Sequence, residues 1–262
     1  MRKHSTGQAL GERVHAECRA IVHALRAPKA LHARVHEARK AIRRTRALLA
    51  LAADGDAPFD VGPADRILQR VGDSLSRLRD AHAAIETARA VGKQTQPRRW
   101  RPIVQALRER SAALVAAELQ RDPGLARRRA TVEGAQYYLD QLPWAELSAS
   151  RIRAGLQRQR GRVERAARRA SKHPDAERLH QWRRKVRRLR MQVDAMPTLR
   201  PQWAKTPATL PKSRALHQLS DALGHEQDLQ VLAALLRRLP GIEARAELRA
   251  QLLDLARAAA PV

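Results

Sequence analysis

Two stretches of this chain repeat one arrangement of histidine and arginine. Residues 36–46 read His-Glu-Ala-Arg-Lys-Ala-Ile-Arg-Arg-Thr-Arg, and residues 180–190 read His-Gln-Trp-Arg-Arg-Lys-Val-Arg-Arg-Leu-Arg. In each, histidine is followed by arginine at +3, a base at +4, arginines at +7 and +8, and a last arginine at +10. On a helix advancing about 100° per residue, His36, Arg39, Lys40 and Arg43 share one face, as do His180, Arg183, Arg184 and Arg187. Bases at this spacing recur about once per turn, roughly 5 Å along the axis. A flexible polyanion charged on every unit satisfies such a row, and arginine suits it because its planar fork donates two hydrogen bonds to phosphate oxygens. One basic strip alone is ordinarily a solvated helix face. Two copies with the same histidine offset, both nearly free of acids on the basic side, point to anion binding.

The elements that carry these strips follow from the residues opposite them. Leu31, Val35, Ala38, Ile42 and Leu49 form an apolar seam behind the first strip, and Leu179, Trp182, Val186 and Val193 one behind the second. Helical periodicity recurs along the whole chain. It predicts helices over 8–26, from Pro28 to about 53, over 63–92, 102–120 and 125–141, then over 144–171, from Asp175 to Pro197, over 212–239 and over 241–259. The breaks fall at Asp54-Gly55-Asp56-Ala57-Pro58, Lys93 to Arg99, Asp122-Pro123-Gly124, Pro143, Lys172-His173-Pro174 and a proline-rich loop over 197–211. Asp175 is placed to cap the second basic helix.

Composition agrees. Of 262 residues, 44% are apolar and 30% charged, but only 3% aromatic, and no stretch alternates as a strand does. The expected class is all-α. The formal charge of +26, from 52 Lys and Arg against 26 Asp and Glu, attracts polyanions and repels itself in the compact state. Nucleic acid, an anionic membrane surface and a phosphate polymer are the partner classes it admits. Cys18 is the only cysteine, which excludes a disulfide framework and a thiolate zinc site. No apolar run has the length of a membrane span, and residues 1–11 lack the apolar core of a secretory signal. A cytoplasmic protein is expected.

The repeat extends past the basic strips. Leu219-Ser220-Asp221-Ala222-Leu223-Gly224-His225-Glu226-Gln227-Asp228 aligns with Val71-Gly72-Asp73-Ser74-Leu75-Ser76-Arg77-Leu78-Arg79-Asp80, and Arg214 and Leu216 match Arg66 and Leu68. A repeat of this length implies a duplicated unit of about four helices. The pattern His-x-x-Arg-[Lys/Arg]-x-x-Arg-Arg-x-Arg, once per half and followed each time by a segment like Leu219 to Asp228, resembles the CHAD domain, the conserved-histidine α-helical domain. The resemblance covers about residues 8–259, with internal repeats over 8–141 and 144–259. It implies two pseudo-symmetric four-helix bundles forming one domain, with a basic central surface that binds inorganic polyphosphate, and for some members an association with polyphosphate granules. Carried over by position, the binding residues are His36, Arg39, Lys40, Arg43 and Arg44 with His180, Arg183, Arg184, Arg187 and Arg188, joined by Lys212 and Arg214. The first copy departs where Ser76 matches Gly224 and Ala64 matches Lys212. Many members are fused to a triphosphate tunnel metalloenzyme domain, but its Glu-x-Glu-x-Lys strand pattern is absent here.

Catalysis is not expected, and neither is a cofactor or a resident metal. Phosphoryl chemistry with metals needs clustered carboxylates or histidines, and no such cluster or phosphate-cradling glycine loop stands out. Asp80 and Asp228 are expected to accept hydrogen bonds from arginine near the core. Binding to nucleic acid is the alternative, with the same electrostatics. Against it, Phe59, Tyr137, Tyr138 and four Trp are the whole aromatic set available for stacking. A surrounding phosphate chain favours protonated histidine, so binding is expected to be tighter at pH 6 than at pH 8.

Overall fold

The structure is a computed structural model that describes residues 5–53, 57–203 and 211–261. Alanine, leucine and arginine hold the helical conformation at low cost, and most prolines lie at or near the breaks. The described residues form ten α-helices and no strand: α1 (Thr6–Arg26), α2 (Leu31–Ala52), α3 (Gly62–Ser74), α4 (Ser76–Gln94), α5 (Pro97–Arg121), α6 (Ala126–Asp140), α7 (Ala149–Lys172), α8 (Ala176–Leu199), α9 (Ser213–Leu236) and α10 (Arg245–Ala259). The all-α expectation holds. Asp175 caps α8 as expected, its Oδ1 accepting from the Arg178 amide at 2.8 Å.

Several boundaries differ from the sequence reading, each for a local reason. The single helix expected over 63–92 is two, α3 and α4, which meet at Leu75, a fully buried residue. The Leu75 side chain anchors the kink in the core, three residues after Gly72. α5 starts at Pro97 and continues through Pro102 because Trp100 and Ile103, on either side of the proline, are anchored in the core. α8 likewise passes Pro197 and ends at Leu199. A 3₁₀ turn over Trp144–Glu146 precedes α7, whose cap is Ser148. The last helix starts only at Arg245, because Gly241 (φ 65°) and Ala244 (φ 48°) are left-handed. The expected break at Asp54-Gly55-Asp56 and residues 204–210 of the proline-rich loop lie outside the described residues.

Two apolar clusters hold the helices together. The larger joins α1, α2, α3, α6, α7 and α8, with Leu10, Val35, Leu68, Leu139, Ile152 and Val186 fully buried. The smaller joins α4, α5, the C-terminal part of α9 and α10 around Trp100, Ile103, Leu229, Leu232, Leu236 and Leu252. Each cluster thus draws helices from both halves of the sequence. Every fully buried Leu or Ile stabilises the fold by about 1.5–3 kcal/mol relative to exposure, so the interlocking cores fix how the halves sit.

Two buried glutamines then set the register of the basic helices. Gln192 Nε2 on α8 donates to the Ala47 carbonyl of α2 at 2.8 Å, and Gln159 Nε2 on α7 donates to the Lys185 carbonyl of α8 at 2.9 Å. α7 also crosses α2 at backbone contact: a Cβ on Gly155 would stand 2.5 Å from the Leu51 carbonyl oxygen and 3.0 Å from its Cα. Backbone cannot yield as a flexible side chain can. Gly155→Val is therefore expected to destabilise the protein by about 2–3 kcal/mol, the upper range for overpacking. Denaturant unfolding measures it, and a change below about 0.5 kcal/mol, the scatter of an ordinary surface substitution, would contradict the close crossing.

Candidate functional site

α2 and α8 pack against each other with their apolar seams buried: Val35, Ala38 and Ile42 on one, Trp182, Val186 and Leu189 on the other. With the seams sunk in the core, the basic faces turn toward one groove of about 730 Å³. α3, α4, α7 and α9 contribute its other walls. Ten arginine and lysine side chains line it against three carboxylates, Asp73, Asp80 and Glu177. The excess of positive charge is local as well as global.

The groove collects Arg39, Arg43, His180, Arg183, Arg184, Arg187 and Arg188. His36, Lys40, Arg44, Lys212 and Arg214 do not line it. The His36 side chain is 63% exposed, with Nε2 4.0 Å from Glu37. Lys40, Lys212 and Arg214 are exposed as well. Arg44 turns to α1, where its Nε donates to Glu17 Oε2 at 2.7 Å. Glu17 is buried and needs that partner, so Arg44 serves the α1–α2 packing.

Two of the collected arginines, Arg39 and Arg183, are held by the walls. Arg39 Nη1 donates to the Gly72 carbonyl at the α3–α4 kink and to Ser76 Oγ, the latter at 2.8 Å. Its counterpart Arg183 donates to Gln227 and lies across Gly224, where a Cβ would come within 2.9 Å of Nη2. Glycine there leaves room for the guanidinium against α9. Ser76, in the matching position, instead occupies one of Arg39's donors. Arg79 forms ion pairs with Asp80 at 2.9 Å and with Asp228 at 3.7 Å, the second beyond hydrogen-bond distance, so the hydrogen bond expected at Asp228 is not formed by Arg79.

The floor is different. Burial, then the charges of Arg39, Arg79, Arg183 and Arg190, push Arg43 down to about 10. Burial and the charges of Arg43, Arg183, Arg79 and Arg39 push Arg187 down further, to about 8. No carboxylate acts on either. The Nε atoms of Arg39, Arg43, Arg79 and Arg183 are buried without a hydrogen-bond partner. Desolvated cations without counter-ions are costly, and an entering polyanion would offset that cost with charge-assisted hydrogen bonds. His180 is half-buried; burial lowers its pKa, a hydrogen bond with Gln227 raises it, and Arg184 and Arg183 lower it. Among the described residues no group of three His, Cys, Asp or Glu side chains is arranged to hold a metal ion, and no helix is long and apolar enough to cross a membrane.

The family model of the CHAD domain matches residues 10–237. The chain belongs to the CHAD-domain family. A crystal structure of the CHAD domain from the plant Ricinus communis shares the fold, with a TM-score of 0.68 over 97% of this chain and 91% of that one, at 20% identity. No curated protein sequence matches the chain. In this CHAD domain the groove also recruits Arg46, Arg79, Arg162 and Lys185, which the motif-based set omits. Arg46 and Lys185 sit inside the repeated stretches and were available to a looser pattern. Arg79 and Arg162 arrive from α4 and α7, and no local spacing announces their approach.

The floor cluster makes a stability prediction. A base whose pKa is depressed on folding penalises the folded state below the folded value, and the penalty shrinks as pH rises through it. With Arg187 pushed down to about 8 in the folded protein, well below an ordinary guanidinium, the penalty is present at pH 7. Arg187→Met is expected to stabilise the ligand-free protein by about 1–2 kcal/mol. A lower melting temperature for the variant at pH 7 would contradict the account of the floor.

Proposed function

We propose that this CHAD domain binds inorganic polyphosphate in the arginine-lined groove by electrostatic recognition, without catalysis. The observation that carries this reading is the Arg43–Arg187 floor, desolvated and free of carboxylates. It needs an anion, and a polymer with charge on every unit supplies one to each guanidinium along the groove. The family is associated with polyphosphate binding. On this reading residues 8–259 act as one domain, with both repeats contributing to a single site. Exposed His36, Lys40, Lys212 and Arg214 lie outside the groove and add to the field that steers the polyanion toward it. Recruitment to polyphosphate granules in the cytoplasm follows from the same affinity. Guanidiniums donate hydrogen bonds and abstract no protons, which favours binding over turnover.

The lining also bears on nucleic acid. No Phe, Tyr or Trp lines the groove, and Trp100, Trp144 and Trp182 are buried in the core. Bases would find no stacking platform there. A competition titration at physiological salt, with long-chain polyphosphate against single- and double-stranded DNA and RNA, separates the two. Polyphosphate is expected to win. Changing Arg183, Arg184, Arg187 and Arg188 to Ala should cost about 100-fold or more, since each charged hydrogen bond contributes about 1.5–3 kcal/mol. Arg44→Ala should lower stability with little effect on affinity. Equal affinity for every polyanion would put nucleic-acid binding ahead.

The pH dependence has a worked sign. Burial holds His180 below its ordinary 6.5 in the free protein, and a bound phosphate chain favours the imidazolium. Protons are taken up on binding between the free and bound values. Affinity is therefore expected to rise as pH falls from 8 to 6 and to keep rising below 6.5, a slope reduced in His180→Gln. A slope unchanged in that variant would remove His180 as a charged ligand.

A further inference from the structure

Two ties hold α4 to α2 beside the groove. At one, Arg39 Nη1 of α2 donates to Ser76 Oγ of α4 at 2.8 Å. At the other, His32 of α2 and His82 of α4 stack, with ring centroids 4.2 Å apart and planes 14° from parallel. Ser76, Arg79 and His82 follow one another at three-residue steps, so they line one face of α4 over roughly 9 Å. Arg39 and His32, seven residues apart, share the facing side of α2. Arg79 lies between the two ties and lines the groove, whereas neither stacked ring does.

The apolar cores leave this stretch of α4 loosely gripped. Leu78 is buried in the larger cluster and Ala84 in the smaller, while residues 79–83 between them are only half-buried. Arg79 works against the ties. Its ion pairs go to Asp80 and Asp228, neither on α2, and its charge pushes down both Arg39 and Arg43 of α2. The stacked rings therefore attract one turn from the point where the arginines of the two helices repel.

Only a neutral stack attracts. Burial, then the charge of His32, lowers the His82 pKa below its ordinary 6.5; Glu86 raises it, and Arg89 and His36 lower it. No group on α3, α5 or α9, which also pack on α4, is among these. Glu86 is itself paired with Arg89 at 2.5 Å. A ring freed from the stack takes up a proton more readily than a stacked one. The stack is therefore intact at pH 7–8 and weakens as pH falls below about 6.5.

We propose, taking the groove as the polyphosphate site, that the His32–His82 stack positions Arg79 for the polyanion and releases it when the rings are protonated. With the stack neutral, Arg79 is held at the groove before ligand arrives. With it charged, part of the binding energy goes into drawing α4 back, which lowers the apparent affinity. An aromatic pair is worth about threefold to tenfold, which sets the size of the effect. Its sign opposes that of His180, so the stack blunts the rise in affinity on the acid side.

Calorimetric titration of the full chain with long-chain polyphosphate at pH 7.5 and pH 5.5 tests this. The proteins are wild type, His32→Ala, His32→Phe and His82→Phe, with folding checked by circular dichroism. His32 is exposed, so its variants report even if His82→Phe misfolds. At pH 7.5, His32→Ala is expected to weaken binding about threefold or more, and the Phe variants, whose rings stack without titrating, to stay within about twofold of wild type. Between pH 7.5 and 5.5 their affinity should rise about threefold more than that of wild type. In an Arg79→Gln background, His32→Ala should have no further effect. Unchanged affinity in His32→Ala, a wild-type pH ratio in His32→Phe, or additivity with Arg79→Gln overturns the stack and leaves the groove in place. If wild type binds no polyphosphate, the groove reading fails and the positioning role with it.

Discussion

The crowding of guanidiniums where α2 meets α8 is the constraint that the rest of this structure serves. Arg43 and Arg187 are largely buried among other arginines, and neither forms an ion pair with a carboxylate. Two unit charges about 5 Å apart repel by roughly 3 kcal/mol at an effective dielectric of 20, so such a cluster persists only if packing elsewhere holds it. The apolar seams of both helices, buried on the far side, supply that hold. So do Gln192 and Gln159, which tie α8 to α2 and α7 through backbone carbonyls. The fold maintains a cluster that is unfavourable alone and that, on the proposed function, a bound anion would neutralise.

Within the repeated stretches, arginines with the same spacing have different work. Arg44 holds buried Glu17, and Arg46 forms a two-pronged pair with Asp65, Nε donating at 2.7 Å and Nη2 at 3.0 Å. Those side chains are committed to packing one helix on another. Arg43, Arg187 and Arg188 have no such commitment to a single carboxylate, although Asp65 tempers the field at Arg188. A strip of bases therefore divides into structural and ligand-facing members according to which neighbouring helix brings an acid within reach.

The two copies are not interchangeable. Gly224 leaves a continuous α9 smooth enough for Arg183 to lie against it. At the corresponding place in the first half, Leu75 breaks the helix, and Ser76 and the Gly72 carbonyl hold Arg39. Arg79 and Gln227 also occupy matching positions, one adding charge between Asp80 and Asp228, the other accepting from Arg183. The first half's arginine has two wall partners, the second's one.

Sequence alone determined that the chain is helical, which face of α2 and α8 is apolar, and that their opposite faces carry a repeated row of cations. Those properties are local: a period of 3.6 residues places side chains on faces wherever the helix lies. The repeated pattern also sufficed to place the chain with CHAD domains. Only the tertiary structure decided that Arg43 and Arg187 share one floor, that Arg44 faces away to Glu17, and that His36 stays outside the groove. It likewise brought Arg79 and Arg162 in from α4 and α7, and placed the α3–α4 kink at Leu75. Each of these depends on which helices meet across the two interlocking cores. That meeting is set by burial between residues far apart in the chain, and no spacing within one helix encodes it.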